Sequence, residues 1–129
     1  MRVLFKVAAL ATVVALAGCN SAPIRNVSNA PVTSASGKAL SDDQVKGAII
    51  RAGSALGWQM KEIGPGKLGA TLNLRKHEAV IEIPYSRAGY SITYKSSTGL
   101  DETAGNIHKN YNGWIENLTR GINAQMSAS

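Results

Sequence analysis

His77 and His108 are the only histidines of the chain, and imidazole is the side chain with the broadest chemistry near neutral pH, moving protons or binding a metal ion. Neither stands in a spacing that such chemistry uses. No HExxH and no pair of cysteines accompanies them. His77 falls in the polar stretch Lys76-His77-Glu78, which reads as a hairpin turn. His108 borders the apolar face of a helical repeat, where the expectation is a packing histidine bonded to a loop carbonyl. Ser86, Ser91, Ser96 and Ser97 lack the G-x-S-x-G elbow that exposes a nucleophile. Lys95 and Ser96 are strand neighbours and so point to opposite faces, which rules out a dyad by spacing. Gly64-Pro65-Gly66 is a turn, with no phosphate-cradling GK[ST] or GxGxxG after it. No catalytic residue, metal ligand or cofactor is therefore assigned. His77 and His108 stay in the binding set beside the aromatic residues, which enter it because tyrosine and tryptophan are over-used where proteins grip partners. Tyr85 and Tyr90 mark a groove at a sheet edge, while Tyr111 and Trp114 have the spacing of core residues.

Cys19 is the single cysteine, and its position is informative. Residues 1–6 carry Arg2 and Lys6, and an apolar run of about 11 residues follows from Val7 to Ala17. The run is too short for a membrane-crossing helix, which needs about 20 apolar residues. It ends in Leu16-Ala17-Gly18-Cys19, which resembles the lipobox of bacterial lipoproteins. The resemblance implies cleavage before Cys19 and attachment of a diacylglyceryl group to its sulfur. The membrane-lipid partner is thus expected to be held through acylated Cys19, and two or three acyl chains at about 0.8 kcal/mol per buried methylene anchor stably. No internal disulfide is available to a chain with one cysteine. By the same resemblance Asn20, a residue other than Asp after the cysteine, favours the outer membrane.

Loss of Arg2 and Lys6 with residues 1–18 lowers the formal charge from +6 to +4. The remaining cations are scattered, with Arg75-Lys76 the longest basic run. That argues against nucleic-acid binding and is compatible with anionic headgroups. Residues 19–40 are rich in Ser, Ala and Asn, with Pro23 and Pro31, and read as a lipidated cysteine followed by a flexible tether. A relaxed coil of that length would reach roughly 25 Å. Ile24-Arg25-Asn26-Val27 is the one part suited to a short edge strand. Residues 41–126 form one small domain.

The elements that must position these residues follow from periodicity. Ser41-Asp42-Asp43-Gln44 has the form of a capping box. Val45, Ala48, Ile49, Ala52 and Leu56 then share a helical face until Gly57. Four extended segments follow: 58–63, 68–75, 79–85 and 90–95. Leu68, Ala70, Leu72 and Leu74 show the alternation of a strand with one buried face. Ile107, Tyr111, Trp114, Leu118 and Ile122 lie on one side of a second helix, with Ile115 at its margin. The fold expected is α+β, a two-layer sandwich in which a four-stranded antiparallel meander carries both helices on one face, in the order α-β-β-β-β-α.

The segments Tyr90-Ser91-Ile92-Thr93-Tyr94-Lys95-Ser96-Ser97 and Ile107-His108-Lys109-Asn110-Tyr111-Asn112-Gly113-Trp114-Ile115 resemble those of a group of small proteobacterial lipoproteins. Ala70-Thr71-Leu72-Asn73-Leu74-Arg75 extends the likeness over most of the mature chain. The resemblance implies an envelope location and one compact domain, and it carries no activity. The functional expectation is a non-enzymatic accessory or binding module of the cell envelope, facing the periplasm and working with an envelope protein partner. The alternative is a small envelope hydrolase or metal-binding protein.

Overall fold

The computed structural model describes residues 20–129; residues 1–18 and the lipidation residue Cys19 lie outside them. The element order is β1 (Ser21–Pro23), β2 (Val27–Pro31), α1 (Asp42–Ala55), β3 (Gln59–Gly64), β4 (Lys67–Leu74), β5 (His77–Ser86), β6 (Gly89–Thr98), β7 (Asn106–His108) and α2 (Lys109–Ser127). The expected α+β class holds, but the sheet differs from a four-stranded meander. Five strands run β2-β6-β5-β4-β3, and a separate two-stranded sheet joins β1 to β7.

α1 begins where its chemistry says it should. The Gln44 N–H donates to Ser41 Oγ at 3.1 Å and the Ser41 N–H to Gln44 Oε1 at 2.9 Å, so two donors left free at a helix start are satisfied together. Gly57, at φ 91, lets the chain leave the helix. In the sheet, Leu68, Ala70 and Leu72 of β4, Ala79, Ile81 and Ile83 of β5, and Tyr90 and Ile92 of β6 are all buried on one face. The two helices cover that face, and each fully buried Ile or Leu contributes about 1.5–3 kcal/mol. α1 and α2 approach closely through small residues: a Cβ on Gly121 would stand 3.5 Å from the Ala52 Cβ. The buried stripe of α2 is Tyr111, Ile115, Leu118, Ile122 and Met126. Ile115 is therefore central to the face and Trp114, half-buried, is at its margin, the reverse of the expected order.

The tether expected over residues 19–40 is corrected over residues 20–31, more than half of it. Ser21, Ala22 and Pro23 pair with His108, Ile107 and Asn106, while Val27 pairs with Ile92 and Ala30 with Tyr90. The edge strand expected at residues 24–27 lies a few residues later, at β2. The polar composition that suggested disorder supplies hydrogen bonds instead. β2 shifts register between Val27 and Ala30, and Asn29 is at φ 51. Such an irregular edge leaves ladder N–H groups open, and Asn26 Oδ1 accepts from the Tyr94 N–H at 2.9 Å. Asn112 closes the other side, its Oδ1 accepting from Arg25 N–H at 3.0 Å and its Nδ2 donating to Pro23 O at 2.9 Å. Residues 32–40 are the irregular link, and even there Leu40 is buried.

Candidate functional site

The two ends of β5 hold the two halves of the expected site. His77 opens the strand and Tyr85 lies eight residues on, about 26 Å away at strand rise. His77 is not in the turn. The turn is Arg75-Lys76, with Arg75 at φ 57, and His77 is already paired with Leu74 across the hairpin. Its ring packs 6.5 Å from that of His108, centroid to centroid and near parallel, and 6.2 Å from the Trp114 ring. The fold thus brings together the only two histidines, which lie far apart along the chain.

His108 bonds differently from the expectation of a loop-carbonyl partner. It is the N-cap of α2, its Nδ1 accepting from the Asn110 N–H at 3.2 Å. The lone pair of Nδ1 is committed to the helix start, so that nitrogen is not open to a metal in this arrangement. Among the described residues no three or more His, Cys, Asp or Glu side chains converge as a metal-binding group. No hydrogen bond joins a serine hydroxyl to either imidazole among the described residues; Ser97 Oγ instead lies 2.7 Å from the Tyr94 hydroxyl.

Trp114 links two depressions at this end. One is an open cleft of about 680 Å³ whose lining includes Arg25, Lys109, Asn112, Trp114 and Glu116. The other is a small apolar recess between Leu56, Trp58, Leu72, Leu74 and Trp114. Leu56 and Leu74 are 43% and 44% exposed. Arg75, Lys76 and Lys109 are exposed as well and form no ion pair among the described residues. Asn20 reaches the same region: its carbonyl accepts from the Lys109 N–H at 2.8 Å. A third recess, of about 270 Å³, lies between Asn20, Ser21, Asp101, Thr103 and His108.

At the opposite end Tyr90 is 1% exposed, its hydroxyl donating to Asn123 Oδ1 at 2.8 Å, and burial raises its pKa. It is therefore a core residue, which removes most of the expected aromatic groove. Tyr85 is half-buried and lines a shallow depression of about 230 Å³ with Asn29, Gly66 and Ser91. The outer face of the sheet is open, and Glu82 bridges Lys67 and Lys95 there at 3.6 Å each.

Trp114, Leu56, Leu74 and Asn20 were absent from the binding set expected from sequence. Helical spacing assigned Trp114 to the core, and nothing local ties Asn20 to Lys109. Among the described residues no helix is long and apolar enough to cross a membrane. The chain matches no protein-family model, no curated protein and no solved structure with which it was compared.

Proposed function

We propose that this protein is a lipoprotein anchored through Cys19, on the outer membrane facing the periplasm, whose domain is a non-enzymatic accessory or binding module for another envelope component. The observation that supports it best is the pairing of the residues that follow Cys19. Strand β1 starts at Ser21 and the Asn20 carbonyl accepts from the Lys109 N–H, so the residues directly after the proposed cleavage point are part of the fold. A chain processed at Cys19 keeps every described element, with the proposed acyl chains one residue from Asn20.

The non-enzymatic part draws on the side chains with chemical range. Each has a structural occupation: His108 caps α2, His77 stacks on it, and Tyr90 is bonded inside the core. The metal-binding alternative draws on the juxtaposition of His77 and His108 alone. Acyl labelling of the wild type, lost in Cys19→Ser together with membrane retention, is the expected result. An unlabelled wild type, or a retained Cys19→Ser, overturns the anchor. Crosslinking in cells should recover one dominant envelope protein, whereas stoichiometric metal in a native preparation, lost in His77→Ala, would favour the alternative.

A further inference from the structure

We infer that the Trp114 end of the domain rests on the bilayer that holds Cys19, so that the protein touches the membrane through its folded surface as well as its lipid. The inference depends on the proposed anchor and adds an orientation to it. Cys19 is one peptide bond from Asn20, about 3.8 Å between Cα atoms, and Asn20 is fastened to the start of α2 by the Lys109 N–H. No free tether intervenes, because β1 follows at once and is paired with β7. The acylated end must therefore bring the start of α2 to the headgroup layer. Trp114 lies five residues further along that helix, about 7.5 Å of rise.

The composition of this end suits that layer. A half-buried tryptophan stands beside two leucines that are each more than two-fifths exposed, Leu56 and Leu74. Such leucines in water leave apolar area uncovered, and tryptophan is favoured at the membrane–water boundary. Arg75 and Lys76 follow Leu74 and Lys109 lines the cleft with Trp114, all three without carboxylate partners among the described residues, and cations so placed are attracted to anionic phospholipid. Glu116 is committed to Arg120 at 3.6 Å, and Asp101 lies in the separate recess beside His108. The opposite end presents Tyr85, Arg87 and the Asp42 carboxylate bonded to the Arg87 N–H at 2.7 Å, and it points away from the attachment residue.

The test uses the full chain, acylated in cells and reconstituted in vesicles of phosphatidylethanolamine and phosphatidylglycerol, some containing phosphatidylcholine brominated on its acyl chains. Bromine quenches tryptophan emission at close range, and the chain has two tryptophans, of which Trp58 is buried. The expected result is quenching of the wild type that is largely lost in Trp114→Phe. It is lost equally in the double variant Leu56→Asp/Leu74→Asp, whose exposed positions spare the fold, and kept in Ile63→Asp on the open sheet face. Acylated wild type that is not quenched, or quenching removed by Ile63→Asp and not by the leucine pair, overturns the inference. The acyl label reads the anchor separately: labelled protein that sediments with vesicles without being quenched defeats the docking alone, and unlabelled protein defeats both.

Discussion

Tyr111 carries the one buried side-chain hydroxyl that lacks a hydrogen-bond partner among the described residues. Its ring meets Tyr94 edge to face, 5.4 Å between centroids, a favourable aromatic geometry. The hydroxyl, however, is desolvated without compensation, which costs about 1–3 kcal/mol. Tyr111→Phe keeps the ring and removes the cost, so we expect stability to urea to be unchanged or to rise by about 1 kcal/mol. The same burial, helped by Tyr94, raises the Tyr111 pKa above the ordinary 10. The folded protein then holds this proton where the unfolded chain releases it. The contribution is complete below pH 10 and is lost as the pH rises above it, so alkaline titration of unfolding should show a decline that is shallower in Tyr111→Phe. Helical spacing alone placed Tyr111 in the core; its missing partner depends on side chains from β6 and could not be read from spacing.

At the scale of elements, local chemistry and close approach act separately. The α1 cap is local: Ser41→Ala removes the acceptor for the Gln44 N–H, and an expected loss of about 1 kcal/mol would be measured by thermal unfolding. Gly99 is not local. It sits at φ 75, and a Cβ there would overlap the Lys76 carbonyl oxygen and lie 3.3 Å from the His77 ring. Gly99→Ala should destabilise by about 1–3 kcal/mol and disturb the stacking of His77 on His108, visible in the histidine ring resonances. The capping box, Gly57 and the alternation of β4 were legible because each is set by neighbours in sequence. β1 and the bounds of β2 were not, because strands of three and five residues have too few positions to show a period. Their prolines and asparagines look like linker composition until the partners of Asn26 and Asn112 are known.

For the molecule as a whole, the N-terminal segment changes from leash to structural part. A chain beginning at residue 33 would lose both strands, uncover the edge of β6 and remove Ile24, Val27 and Ala30 from the core margin. We expect a lower unfolding temperature and a tendency to associate through the open edge, measured by thermal scans and light scattering. Two helices, the four strands of residues 59–98 and their one-sided burial were readable from periods of 3.6 and 2, since those patterns are imposed by backbone geometry on any buried face. The place of the single cysteine behind an apolar run is a fact of sequence alone, and its acylation is the proposal that the label tests. The capture of residues 20–31, the meeting of His77, His108 and Trp114, and the burial of Tyr90 came from tertiary structure. Each depends on which distant segment fills a vacant sheet edge or lies across a ring, and pairings between distant segments leave no trace in local sequence.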